Sequence, residues 1–203
     1  MSVKSRSEPL QNQFDRVLSQ RTRYITVVTE DLYQAHNGAA VARACDGFGI
    51  QDIYAISNRN NFNLCEKVAE GADRWVDVFH YNQEGLNNTE VCLTHLKQKG
   101  YRVLATTLRD SCMDIEEVPL DRPIALCFGT ELKGLSNCAH EMADGFVRLP
   151  MYGFTQSFNI SVSTALSLCS LTSRLRSSQL SWPLSLEEQS EIKLRWQARG
   201  EIS

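Results

Sequence analysis

The sequence lacks a long apolar stretch: no uninterrupted apolar run approaches the roughly 18 to 20 residues that span a bilayer. Its start, MSVKSRSEPLQNQ, lacks the apolar core of a secretory signal peptide. Both observations predict a cytoplasmic protein without a membrane segment. Apolar residues make up 42% and charged residues 22% of the 203 residues, which argues against a disordered, collagen-like or coiled-coil chain.

Metal-binding and disulfide patterns are also missing. The seven cysteines form no C-x-x-C pair, and an odd number argues against a full disulfide framework. The four histidines show no H-x-x-x-H spacing, and no acidic cluster resembles a calcium-binding loop. We therefore expect reduced, mostly buried thiols and no metal site.

The net charge of −3 is unevenly distributed along the chain. Residues 1–23 carry a net +3 and residues 170–203 a net +1, so the middle of the chain carries −7. Basic ends on an acidic body are able to hold a polyanion locally. Solvated helix faces are the simpler explanation when the charges are considered alone.

Strand-type and helix-type patterns alternate along the chain. The predicted strands cover residues 24–28, 52–56, 75–79, 102–106, 124–128 and 145–149. Segments of helix length cover residues 37–49, 83–99, 137–143 and 159–176. This alternation predicts an α/β fold with a mostly parallel six-stranded sheet and helices on both faces.

Helices are also predicted at both ends of the chain. Apolar residues recur at helical spacing over residues 10–21, and Ile192 and Trp196 form the apolar contact of a last helix over residues 186–198. The predicted units are an N-terminal helical extension over residues 1–22, an α/β domain over 23–176 and a C-terminal helical extension over 177–203.

In open α/β sheets, ligands bind beyond the carboxyl ends of the strands, and the loop after the first strand is unusual there. It leads into a segment with Asn37, Ala40 and Arg43. Asn37 is either a helix N-cap or a site residue. Arg43 either leans back along the helix toward Asn37 or pairs with Asp46 on the surface.

The second unusual segment begins at Gly129 and contains Glu131 and Gly134. Leu-Ser follows the second glycine, so the lysine of a P-loop is missing and a nucleotide triphosphatase is excluded. The dinucleotide fingerprint G-x-G-x-x-G is absent too, since Gly47 and Gly49 have no third partner and suit a helix end. Glu131 is then either a solvated side chain or the one acid of a backbone-rich loop.

The third segment, residues 149–161, joins a strand to the long helix. Ser157 or Asn159 is a natural cap for that helix. Apolar side chains beside backbone donors and acceptors also suit a neutral adenine ring. The helix that follows carries several serines, which suit a close helix-packing or dimer face as well as ordinary core packing.

Together the three segments resemble the motifs of the SpoU/TrmH family of RNA 2′-O-ribose methyltransferases, of the SPOUT superfamily. The family patterns are N-x-x-A-x-x-R, G-x-E-x-x-G and P-M-x-G-x-x-x-S-L-N-V-S. The matching residues are Asn37, Ala40 and Arg43, then Gly129, Glu131 and Gly134, then Pro150, Met151, Gly153, Ser157, Asn159 and Ser161. Phe158 and Ile160 replace the usual leucine and valine. The resemblance covers about residues 10–200.

The resemblance implies a C-terminal deep trefoil knot, a homodimer and S-adenosyl-L-methionine as cofactor. It also implies tRNA as substrate, with the D-loop guanosine at position 18 as target. Another tRNA nucleotide, ribosomal RNA, a small-molecule substrate or a catalytically silent RNA-binding protein are the alternatives. In this interpretation Arg43 is either the general base or a group that aligns the substrate.

The resemblance also assigns roles to individual residues. The implied catalytic residues are Arg43, Asn37, Glu131, Ser157 and Asn159. The implied cofactor-binding residues are Thr106, Gly129, Leu149 and Phe158. Basic side chains of the two terminal regions are expected to hold the RNA backbone; the candidates are Lys4, Arg6, Arg16, Arg21, Arg174 and Arg176.

Overall fold

A parallel sheet forms the centre of the computed structural model, which describes residues 10–60, 71, 74–108, 112–130 and 132–200. Its strands are β1 (Ile25–Glu30), β2 (Asp52–Ile56), β3 (Asp77–Tyr81), β4 (Arg102–Thr106), β5 (Met113–Asp114), β6 (Ile124–Phe128) and β7 (Gly145–Arg148). The order across the sheet is β3-β2-β1-β6-β4-β7-β5, and every pairing is parallel. The predicted parallel α/β fold is confirmed.

Six α-helices accompany the strands in the described part of the chain. They are α1 (Leu10–Leu18), α2 (Ala35–Phe48), α3 (Asn88–Gln98), α4 (Asn137–Met142), α5 (Ile160–Arg176) and α6 (Leu186–Gly200). Gly49 ends α2 in the left-handed conformation, with φ of 78°, as its place after a helix predicted. No helix of the described residues is long and apolar enough to cross a membrane.

The number of strands differs from the prediction. The sheet has seven strands rather than six, because Met113–Asp114 pairs with β7 through only two residues. Two residues are too few to show a strand pattern in the sequence. The third strand also begins at Asp77 instead of residue 75, because Trp75 packs against Phe14 and Trp196 outside the sheet.

Apolar side chains cover both faces of the sheet. On one face β1, β2 and β6 pack against α2 and α5, and on the other they pack against α3 and α4. All residues of β1, β2 and β6 are buried, as expected for central strands of a parallel sheet with both faces covered. Helices on both faces of the sheet are therefore confirmed.

The two terminal helices pack on each other beside the sheet. Phe14 and Leu18 of α1 form a separate buried cluster with Leu184, Ile192 and Trp196. The apolar contact predicted for Ile192 and Trp196 is thus made with the N-terminal helix. Two ends of the chain that are far apart in sequence meet in one cluster.

Arg21 lies under this cluster and is only 1% exposed. Its guanidinium forms an ion pair with Asp46, donates to the carbonyl of Ile50 at 3.1 Å and lies over the ring of Trp196. The prediction that Arg21 contacts RNA is wrong, since a buried, paired guanidinium has no access to a nucleic acid. α1 ends at Leu18, earlier than predicted, and the next turn points this side chain inward.

Candidate active site

A cavity of about 470 Å³ lies at the carboxyl ends of β4, β6 and β7. The cofactor-binding residues predicted from the sequence all line it, namely Thr106, Gly129, Leu149 and Phe158. Ser157 lines it as well. The second and third sequence segments thus meet in one place, where parallel sheets place their ligand sites.

The loop after β6 closes tightly on itself. Thr130 and Gly134 exchange two backbone hydrogen bonds, of 3.1 and 2.8 Å. A Cβ on Gly129 would lie only 2.1 Å from the carbonyl carbon of Gly134, and Gly134 has φ of +66°. Both glycines of the G-x-E-x-x-G pattern are therefore required by the backbone itself. Glu131, between them, lies outside the described residues.

The first and third segments are joined by a pair of amides. Asn159 Nδ2 donates to Asn37 Oδ1 at 3.3 Å, while Asn159 Oδ1 accepts from the backbone N–H of Ser161 at 2.9 Å. Asn159 is thus the N-cap of α5, as predicted. The N-cap interpretation of Asn37 is wrong, because α2 begins at Ala35 and Asn37 lies buried in its first turn.

Arg43 lies on α2 two turns after the start of the helix and is exposed. Neither Arg43 nor Asn37 belongs to the described residues that line the cavity. Asp46, the alternative partner considered for Arg43, forms its ion pair with Arg21. The structure therefore places the cofactor candidates and Ser157 around the cavity, and a side-chain hydrogen bond joins Asn37 to Asn159.

The walls of the cavity combine apolar surface with a few polar groups. Phe128, Ile160 and Leu149 supply apolar surface. The Thr106 hydroxyl is not available to a ligand as a donor, since it donates to the carbonyl of Cys127 at 2.8 Å. A pocket of this size and character fits a drug-sized molecule with a neutral ring. These residues are suited to hold an adenosine group.

Several lining residues lie outside the sequence motifs. Ile115 and Arg148 line the cavity beside β5, where Asp114 accepts from Arg148 at 2.8 Å and raises the pKa of Arg148. Asp114 and Glu117 form a capping box, a D-x-x-E signal that the sequence contained. His140 also lines the cavity, and its Nδ1 lies 2.8 Å from the carbonyl oxygen of Ser136. That contact makes Nδ1 the protonated nitrogen.

The predicted RNA contacts are dispersed. Lys4 and Arg6 lie outside the described residues, and Arg16 is exposed on α1. Arg174 is half-buried and donates to the carbonyls of Ile115 and Val118. Arg176 is exposed and donates to two further carbonyls. Arg16 and Arg176 stay candidates for contact with a polyanion, whereas Arg174 mainly ties α5 to the turn after β5.

Comparison with known proteins identifies the family. The model of the SpoU rRNA Methylase family matches residues 24–169. The chain belongs to this family. It is 36% identical over 182 residues to a tRNA (guanosine(18)-2′-O)-methyltransferase of Borreliella burgdorferi, covering 90% of this chain and 81% of the relative.

Solved structures of SpoU proteins share the fold. The TrmH/SpoU tRNA modifying enzyme of A. aeolicus superposes with a TM-score of 0.82 at 28% identity, covering 94% of this chain and 96% of the other. The SpoU methyltransferase AviRb of Streptomyces viridochromogenes, in complex with the cofactor AdoMet, gives 0.66 at 19% identity, covering 81% and 65%. At that identity the second likeness concerns the fold alone.

Proposed function

We propose that this SpoU-family chain transfers a methyl group from S-adenosyl-L-methionine to the ribose 2′-hydroxyl of guanosine 18 in tRNA. The observation that carries the proposal is the meeting of the motif segments at one edge of the sheet, in a chain 36% identical to a relative named for that reaction. The match covers 90% of this chain and 81% of that relative, so it includes all three motif segments.

The cavity at the carboxyl ends of β4, β6 and β7 is the proposed cofactor site. S-adenosylmethionine supplies a methyl group bonded to a positively charged sulfur. Gly129 packs against the backbone of Gly134 and lines the cavity, and Leu149 and Phe158 offer apolar contact. Phe158 is bulkier than the usual leucine and is 40% exposed, so the extra ring volume does not need to fill the pocket.

Arg43 is proposed to bind an RNA phosphate and to align the 2′-hydroxyl. Arginine side chains stay protonated in proteins, which favours this role over that of a general base. Forked N–H groups hold a phosphate in a fixed direction, and alignment alone contributes strongly to rate. Asn37 and Asn159 hold the start of α2 against the start of α5, and Glu131 and Ser157 are proposed to complete the site.

A homodimer is proposed, with the knot region at its interface. Leu132, Tyr152 and Phe154 are 97, 96 and 109% exposed, and Val162 and Leu166 on α5 are partly exposed. Large apolar side chains that lie exposed are typical of interaction surfaces. The proposal includes the family's C-terminal trefoil knot, a cytoplasmic location and the completion of each site by the partner subunit.

Methyl transfer to unmodified tRNA transcripts tests the function. Labelled S-adenosylmethionine is expected to modify one guanosine of the D loop, mapped by the block to alkaline cleavage at that position. A transcript that already carries a 2′-O-methyl group at guanosine 18 is expected to accept nothing. Ribosomal RNA serves as the competing substrate, because the family is named for it.

Arg43→Ala is expected to lose turnover while keeping cofactor affinity, measured by calorimetry. Arg122→Ala is the matched control, because Arg122 is an exposed arginine just before β6, at the amino ends of the strands and away from the cavity. If the chain methylates ribosomal RNA and not tRNA, the proposed methyl transfer to a ribose stands and the tRNA assignment is wrong. Loss of cofactor binding together with turnover in Arg43→Ala would give Arg43 a structural role.

A further inference from the structure

We propose that Glu30 is a positioning residue that anchors the cofactor loop to the end of β1. The inference rests on the proposed function for its effect on cofactor binding, but its structural part stands on the hydrogen bonds alone. Glu30 is the last residue of β1, is 2% exposed, and belongs to none of the sequence motifs.

Both carboxylate oxygens of Glu30 bind Ser136. The backbone N–H of Ser136 donates to Oε2 and its hydroxyl donates to Oε1, each at 2.7 Å. Ser136 directly follows the loop that lines the cavity and is the N-cap of α4, accepting from Ala139 N–H at 3.1 Å. One side chain thus fixes the residue at which the cofactor loop ends.

The same carboxylate reaches a third segment. The Thr89 hydroxyl also donates to Glu30 Oε1, and it accepts from Asn58 Nδ2 at 2.8 Å. Thr89 lies at the start of α3, and Asn58 follows β2. Glu30 therefore joins the ends of β1, β2 and β6, and β1 leads directly into the segment that carries Asn37.

A buried carboxylate is an unusual group for holding segments of a fold together. None of the ion pairs among the described residues includes Glu30, and the donors described for its carboxylate are the neutral groups of Ser136 and Thr89. Burying a carboxylate is unfavourable unless donors satisfy it. Hydrogen bonds to a charged acceptor are stronger and more directional than neutral ones. A carboxylate here gives the loop one fixed position.

Glu30→Gln tests the anchor, because the amide keeps the shape but loses the charge and one acceptor. Hydrogen exchange of residues 129–136 is expected to become about tenfold faster, and the Kd of S-adenosylhomocysteine to rise about tenfold, the loss of one charge-assisted hydrogen bond. Ser136→Ala keeps the backbone donor and is expected to show a smaller change. The double variant is expected to match Glu30→Gln.

Asp52→Asn is the matched control, because Asp52 is also a buried carboxylate, 3% exposed, but lies at the opposite end of the sheet. It is expected to leave both the exchange of residues 129–136 and the Kd unchanged. Unchanged exchange in Glu30→Gln, or an equal increase in Asp52→Asn, would overturn the anchor. If the wild-type chain binds no S-adenosylhomocysteine, the proposed function fails, while the exchange rates still decide the anchor.

Discussion

At the scale of single residues, one amide serves two partners. Asn159 accepts from Ser161 N–H as the cap of α5 and donates to the buried Asn37. The oxygen and nitrogen of the side chain therefore have separate tasks, one for the helix and one for the site. A substitution that preserves only the oxygen separates these tasks.

Asn159→Asp is expected to keep Tm close to that of the wild-type chain, because a carboxylate caps a helix as well as an amide does. It is expected to lower kcat, since Asn37 loses its donor. Asn159→Ala is expected to lose both the cap of α5 and the donor to Asn37, with a stability cost of about 1 kcal/mol. Thermal unfolding and labelled-methyl transfer measure the two effects, and full activity in Asn159→Asp would contradict the role of the amide pair.

Asp52 gives a prediction for pH dependence. Burial raises the pKa of Asp52 to about 6, although Arg23 opposes this with contacts of 3.0 and 3.1 Å. The folded chain then holds this proton more tightly than the unfolded chain. The stability that Asp52 contributes is present at low pH and declines as the pH rises from about 4 to about 6.

The stability of the wild-type chain relative to Asp52→Asn is therefore expected to fall by up to about 3 kcal/mol over that range. Urea unfolding of both proteins between pH 4.5 and 7.5 measures the difference and cancels the other titrating groups. A difference that increases with pH would mean that the ion pair with Arg23 outweighs burial.

Residue patterns indicated the site because its constraints are local. Gly129 and Gly134 are explained by one tight loop, and Asn159 by one helix start. The RNA contact expected of Arg21 is wrong, because its surroundings come from segments distant in sequence. The N-cap alternative for Asn37 is wrong for a local reason, because α2 begins at Ala35. Arg21 is buried by Asp46 and by Trp196, which lies at the other end of the chain.

At the scale of elements, the terminal helices depend on each other. Trp196 of α6 is 1% exposed and lies 5.7 Å from the ring of Phe14 on α1. Leu18 of α1 and Ile192 of α6 belong to the same buried cluster, which joins the two helices. Apolar spacing predicted each helix, but only the fold shows that they are partners.

Trp196→Ala is expected to cost about 3–5 kcal/mol of stability, as large-to-small changes in a core do. It is also expected to speed hydrogen exchange in α1, since that helix loses its buried contact with the Trp196 ring. Leu194→Ala is the control on the same helix, because Leu194 is 68% exposed. Equal exchange of α1 in the two variants would show that α1 is held by other contacts.

At the scale of the whole molecule, the cavity and Arg43 raise a question of assembly. Arg43 is exposed and does not belong to the described lining of the cavity, whereas the exposed side chains of Leu108, Leu132 and Phe158 do line it. The proposed homodimer is the arrangement in which Arg43 of one subunit reaches the cavity of the other. Each complete site would then contain residues of two chains.

Complementation between two inactive variants tests this arrangement. Arg43→Ala removes the guanidinium, and Leu149→Glu places a charge in the cofactor cavity. If sites are shared between subunits, random reassociation makes half of the dimers mixed, and each mixed dimer has one intact site, so about a quarter of wild-type activity returns. If each chain forms its own site, a mixed dimer likewise holds one chain defective in Arg43 and one defective in the cavity, but no intact site. Methyl transfer by the mixture would then stay at the level of the separate variants, and light scattering confirms that the mixture is dimeric.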